Sequence, residues 1–373
     1  MPSRSVPFRS FPRPPCGHRP SHQSVEPVSR VQQITIWVVG VCAVACFLLA
    51  GCGVESGSSQ APAEASGADA RSASRQPASA AVPDTASIAL PDSALVPSPE
   101  TARRFRTAMQ FAVSHGLKDE PVGRVMQEVG QTFAAAPYLE GTLDAPPTEE
   151  LVVRLDGFDC VTYVETLLAM ARGIVQRDTT YAGFARRLAR IRYRAGAPMG
   201  YCSRLHYFSD WIRDNDARQV VRDLAPDLGG RTFRDTLDFM STHRDAYSRF
   251  ATNDSLLACV QDAEAAWADV TRSQPMRYVP QDSIHAVYDD LRAGDVIAIV
   301  TSVEGLDIAH TGLAYVPPDT SAVGGVGLLH ASLSDGVVVS PDLQRYVQQI
   351  GHMIGIVVAR PQPPASSRPA ASS

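Results

Sequence analysis

Apolar positions recur at helical spacing through the first half of the chain. Phe105, Ala108, Met109 and Ala112 within residues 101–114, and Val161, Val164, Leu167, Leu168 and Ala171 within residues 160–172, each form one face of an amphipathic helix. Residues 181–193 and 205–217 read as further helices. Beyond Asp295 the period shortens. Residues 295–300, 308–315, 327–330, 336–339 and 354–359 are short β-rich runs bounded by Gly, Pro, Asp and Ser. Helices first and strands later predict an α+β domain, helices preceding a mainly antiparallel sheet. No internal repeat is visible.

The ends follow a different pattern. Residues 36–50 form an apolar run preceded by Arg4, Arg9, Arg13, Arg19 and Arg30, the layout of a secretion signal, and short for a permanent membrane span. The run closes on Leu49-Ala50-Gly51-Cys52, which resembles the lipobox at which lipoproteins are cleaved before a cysteine that receives the lipid. Gly53 in place of Asp points to an outer membrane, where the cell has one. The expectation is a membrane-anchored lipoprotein facing the periplasm or the cell surface. Ser, Ala, Pro and Gly dominate the next stretch and cannot bury enough apolar surface to offset the entropy of ordering. The chain therefore divides into a signal (1–51), a tether beginning with lipidated Cys52 (52–97), a folded domain (98–362) and a tail (363–373).

The chain has 373 residues, 45% hydrophobic and 20% charged, enough for one large domain. Losing residues 1–51 removes those five arginines and Glu26, which moves the formal net charge from -5 to -9. Nucleic acid and anionic membrane surfaces are thereby excluded as partners. Arg186, Arg187, Arg190, Arg192 and Arg194 read as a solvated helix face followed by a turn. Cys52, Cys160, Cys202 and Cys259 survive cleavage, and with Cys52 acylated an odd number remains, so one is free or all are. A Cys202–Cys259 disulfide would leave Cys160 free, but the spacing does not demand it, and the expectation is that they stay unpaired.

The segment Gly157-Phe158-Asp159-Cys160-Val161-Thr162 places a cysteine where a loop turns into a helix. The partial positive charge at a helix N-terminus favours a thiolate, although a buried structural cysteine fits the same position. His310 and His330 fall on neighbouring strands that can bring both imidazoles to one end of a sheet; either is equally a satisfied core histidine. There is no Gly-x-Ser-x-Gly elbow and no His-Glu-x-x-His, so neither a serine hydrolase nor a zinc amidase is indicated, and no metal or cofactor is expected.

Taken in order, Pro137-Tyr138-Leu139-Glu140-Gly141-Thr142, Phe158-Asp159-Cys160, Ala293-Gly294-Asp295-Val296-Ile297, Ala309-His310-Thr311-Gly312-Leu313 and Leu329-His330-Ala331 resemble the motifs of the NlpC/P60 superfamily of cysteine hydrolases. Ile191-Arg192-Tyr193-Arg194, followed by Gly200-Tyr201-Cys202-Ser203-Arg204-Leu205-His206-Tyr207-Phe208, resembles its DUF1460 branch, described as N-acetylmuramoyl-L-alanine amidase-like. The resemblance implies a papain-like fold with Cys160 as nucleophile at a helix N-terminus. It implies His310 as base, His330 as the residue orienting it, and Tyr138 as an oxyanion donor beside the backbone N–H of Cys160. The Pro- and Gly-rich stretch 317–327 separates the two histidines, and Asp307 or Asp342 remain alternatives for the third position. In the implied mechanism His310 holds Cys160 as a thiolate that attacks the amide carbonyl. The implied substrate is muropeptide, cut between the lactyl group and L-alanine. Ser203, Arg204, His206 and Tyr207 are candidates for binding it, against the alternative that they decorate a helix whose core face is Leu205, Phe208, Trp211 and Ile212. Two other functions stay open: an endopeptidase cutting between D-glutamate and the diamino acid, and a non-catalytic binding module.

Overall fold

The computed structural model describes residues 89–196, 200–233, 236–318 and 325–365. The signal, Cys52 and most of the tether and tail lie outside the described residues. Within them, no helix is long and apolar enough to cross a membrane.

Helices come first. Pro99–Ser114 starts at a Ser98 cap whose side chain accepts from Thr101 N–H, with Pro99 fixing φ in the first turn, and it buries the four apolar residues picked out by their spacing. A short turn, Asp92–Leu95, precedes it, and Leu90, Ala94 and Leu95 pack against the core. Val122–Gln131, Cys160–Val175 and Tyr181–Arg192 follow, and Cys160–Val175 is buried along most of its length. This central helix is why its sequence reads apolar on more than one face: other helices and the sheet surround it.

The sheet runs β2-β3-β8-β4-β5-β6-β7, with β1 (Val221–Asp223) also paired to β8. Its members are β2 (Arg231–Thr232), β3 (Arg277–Pro280), β4 (Val296–Thr301), β5 (Ile308–Tyr315), β6 (Gly327–Ser332), β7 (Gly336–Ser340) and β8 (Met353–Pro361), every pairing antiparallel. Alternation along β4 sends Val296, Ala298 and Val300 into the core shared with the helices. Ile297 and Ile299 enter a second cluster beneath the 3-10 segment Gln281–Asp290 and the helix Leu343–Gln348. The α+β architecture, helices before a sheet, is thus as the periodicity predicts.

Three expectations are corrected. The helix expected over 205–217 is Phe208–Ala217, because Tyr201–Ser203 forms a 3-10 turn and Arg204 bridges back to Tyr193. The arginine run is not a solvated face. Arg187, Arg190 and Arg192 are buried: Arg187 donates to Asp178 and to the Ala169 carbonyl, and Arg192 to Glu165 at 2.7 Å. Acidic and carbonyl partners on neighbouring segments, invisible in a local charge count, make that burial tolerable. Cys202 and Cys259 are joined in a disulfide, which ties the 3-10 turn to the helix Asp254–Ser273.

Candidate active site

The Cys160 helix begins with a reciprocal cap. Thr162 N–H donates to Asp159 Oδ1 at 2.7 Å and Asp159 N–H to Thr162 Oγ1 at 3.0 Å. Just upstream, Leu139 N–H donates to the Phe158 carbonyl and Phe158 N–H to the Pro137 carbonyl, so Tyr138 lies alongside the loop that delivers Cys160. A Cβ at Gly157 would stand 2.6 Å from the Pro137 oxygen; glycine permits this approach. From the sheet, Thr311 Oγ1 donates to the Cys160 carbonyl at 2.9 Å and clamps β5 to the first turn of the helix.

The two histidines meet. His310 Nε2 and His330 Nδ1 share a hydrogen bond of 2.7 Å, and His330 Nε2 lies 3.0 Å from Ser340 Oγ, giving a continuous polar chain across β5, β6 and β7. The Tyr346 ring packs against His330 at 4.8 Å and against His310 at 6.0 Å between centroids. Asp307 and Asp342 are engaged elsewhere: Asp307 accepts Ser209 N–H, and Asp342 caps the helix Leu343–Gln348 and accepts from Tyr288.

A cavity of about 210 Å³ opens at Cys160, walled by Tyr138, Asp159, Arg204, His206 and Tyr207 among others. Arg204 donates to the Leu143 carbonyl, pairs with Asp144 and lies over the Tyr201 ring. His206 Nε2 is 2.8 Å from the Tyr201 carbonyl, and Tyr207 donates to Glu264 while accepting Met240 N–H. These three form a cavity wall built by protein contacts. Ser203 is not part of that wall; its hydroxyl donates to the Gly200 carbonyl.

The electrostatics overturn part of the expected chemistry. Cys160 is a free thiol, but burial, and then the adjacent Asp159 charge, push it up to about 12, against the favourable hydrogen bonding of Thr311. Burial, and then the neighbouring His330, hold His310 well below the usual imidazole range. Burial likewise brings His330 down to about 4. The reading of a thiolate held by His310 is therefore corrected: burial opposes both the thiolate of Cys160 and the imidazolium of His310. Nor can Cys202 supply a thiolate, since it is bonded to Cys259. The helix N-terminus does favour an anion, but here it is already capped by the Asp159 carboxylate. Burial above all holds Tyr138 in its protonated, donor-competent form. Among the described residues no group of three or more His, Cys, Asp or Glu is arranged to hold a metal ion.

Sequence patterning does not reveal Ser340 or Tyr346. Both follow the histidines on elements too short to show a period, whereas Thr311 sits inside the His310 motif and was within reach of it.

Residues 128–355 match the sequence profile of the AmiA-like family, described as N-acetylmuramoyl-L-alanine amidase-like. The chain belongs to this family. An N-acetylmuramoyl-L-alanine amidase from Bacteroides uniformis is 31% identical over 65% of this chain and 99% of its own, with a TM-score of 0.58. A Bacteroides fragilis protein provisionally called a xylanase is 34% identical over 62% of this chain and 98% of its own, at 0.56. A Legionella pneumophila protein assigned to DUF1460, 19% identical over 71% of this chain and 98% of its own, shares the fold at 0.50. Curated proteins return no match.

Proposed function

We propose that this AmiA-like protein is a cell-wall amidase-like hydrolase whose reacting centre is the cleft formed by Cys160, Tyr138 and the His310–His330 pair. The observation that carries the reading is the chain from His310 through His330 to Ser340, set on strands clamped to the Cys160 helix by Thr311. Such a chain fixes one imidazole and gives a proton a route away from it. Because no thiolate–imidazolium pair is stored, proton removal has to accompany bond formation at the carbonyl, with the Tyr138 hydroxyl as the donor to the developing oxyanion. The papain-like NlpC/P60 relationship belongs to this proposal, supported by the order of the motifs. So do peptidoglycan fragments as substrate, Arg204, His206 and Tyr207 as the wall that receives them, and a lipid anchor at Cys52.

A second reading is favoured by one specific observation. A buried, neutral Cys160 beside a carboxylate is equally what a protein that holds peptidoglycan fragments without cutting them would show. Incubation with intact sacculi and with soluble muropeptides, followed by mass analysis, separates the readings. Amide cleavage supports the hydrolase, and the individual masses of the two products, which together exceed the substrate by one water, locate the bond at the muramoyl end or between D-glutamate and the diamino acid. Saturable binding with no new mass supports the holding protein and overturns the hydrolase.

A further inference from the structure

A second cavity, of about 380 Å³, shares no wall residue with the Cys160 cleft. Its size falls within the roughly 300–1,000 Å³ of small-ligand sites. The helix Phe208–Ala217 lines it with Ser209, Arg213 and Asp216, β1 with Asp223, and the far wall contributes Trp267 and Gln274.

Two features set it apart from an ordinary surface cleft. First, Asp216 and Asp223 both line it, and among the described residues neither has an ion-pair partner. The arginine in the wall is directed to another group, since Arg213 donates to Gln274 Oε1 at 3.0 Å. The two acids are also tied together, Asp223 N–H donating to Asp216 Oδ1 at 3.0 Å. Burial, and then the Asp216 and Asp227 charges, push the Asp223 carboxyl up to about 6. Second, Ser209 is 4% exposed, lines the cavity, and its Oγ has no hydrogen-bond partner among the described residues. A buried hydroxyl without a partner is costly unless something in the cavity completes it. Trp267 adds an aromatic wall suited to a cation or to the chain that bears it.

We propose that this cavity binds a primary ammonium group on a short aliphatic chain, with Asp216 and Asp223 as its anionic partners and Ser209 Oγ as a hydrogen-bond acceptor. The proposal does not depend on the reaction assigned to the Cys160 cleft. Such a group is presented by a free alkylamine or by the side chain of a basic amino acid in a peptide.

The test is calorimetric titration of the protein with n-pentylamine and with 1-pentanol, which keeps the chain and removes the charge. Saturable amine binding, weakened about tenfold or more in the alcohol and in Asp216→Asn/Asp223→Asn, is expected, since loss of one charged contact is worth about that factor. Ser209→Ala is expected to weaken the amine by a smaller factor. Absence of saturable amine binding, equal binding of amine and alcohol, or an affinity unchanged by the double substitution overturns the proposal. Should the double variant fail to fold, the amine–alcohol comparison on the unsubstituted protein decides alone. Nα-acetyl-lysine N-methylamide forms the third arm: binding tighter than pentylamine assigns the site to a peptide side chain, and weaker binding assigns it to a free amine.

Discussion

Replacing Arg192 by methionine removes the cation from one of the most enclosed ion pairs in the protein. Arg192 and Glu165 have side chains 2% exposed, joined at 2.7 Å, and both border the Cys160 cavity. Glu165 also accepts from Trp211 Nε1 at 3.2 Å, and Arg192 donates a further bond to the Val152 carbonyl. Burial already pushes the Glu165 carboxyl upward, with Arg192 opposing it. Arg192→Met leaves that carboxylate in a poorly solvating site with only the indole donor, and the expected loss is about 3–5 kcal/mol of unfolding free energy. The loss also depends on pH. A raised folded-state value means that the native state holds a proton the unfolded chain releases, so stability falls as pH rises from the unfolded Glu value near 4.3 towards the folded value. Removing Arg192 raises the folded value further. The deficit of Arg192→Met relative to the unsubstituted protein is therefore largest at neutral pH and shrinks as pH is lowered towards about 4.5. Urea denaturation at both pH values, with Arg192→Met and with Arg192→Met/Glu165→Leu, measures both effects. The double variant is expected to recover most of the loss, because no unpaired charge remains. A single-variant loss under about 1 kcal/mol, or a double variant no better than the single, would refute the reasoning.

Other consequences can be measured directly. Alkylation of Cys160 by iodoacetamide, followed by intact mass, is expected to be slow at pH 7 and to keep rising with pH towards about 12; a plateau at neutral pH would show a stored thiolate instead. Replacing Cys202 and Cys259 together by alanine opens a crosslink between residues 57 apart in sequence, with a chain-entropy loss of up to about 4 kcal/mol, read as a lower thermal midpoint than the oxidised protein. Gly294→Ala meets two obstacles, φ of +75° and a Cβ placed 1.9 Å from the Gly123 carbonyl oxygen, and is expected to lower stability by more than the ~1 kcal/mol of an ordinary left-handed alanine, by urea midpoint.

The order of elements was legible because the informative residues are periodic. The Phe105 and Leu167 faces and the alternating β4 and β5 runs carry their own geometry, so the α+β layout follows from sequence. The helix Asp254–Ser273 escaped notice because it buries little of its length, only Val260, Glu264 and Trp267, and so has no continuous apolar stripe. At the site, Cys160, His310 and His330 stand in motifs and could be singled out, but their protonation could not. The state of the thiol depends on how far burial and Asp159 outweigh the helix terminus, a balance set by tertiary packing. The disulfide was missed for the same reason. Cys202 and Cys259 are distant in sequence, and only the packing of the Asp254–Ser273 helix against the Tyr201–Ser203 turn brings them together.

The most direct test of the account is mass spectrometry of one defined muropeptide after incubation with the unsubstituted protein, with Cys160→Ala and with His310→Ala. The account predicts amide cleavage by the unsubstituted protein and none by either variant, with both variants folded by circular dichroism. Cleavage that survives in the two folded variants would contradict the assignment of the reaction to this cleft, and an intact substrate in all three would contradict the hydrolase itself.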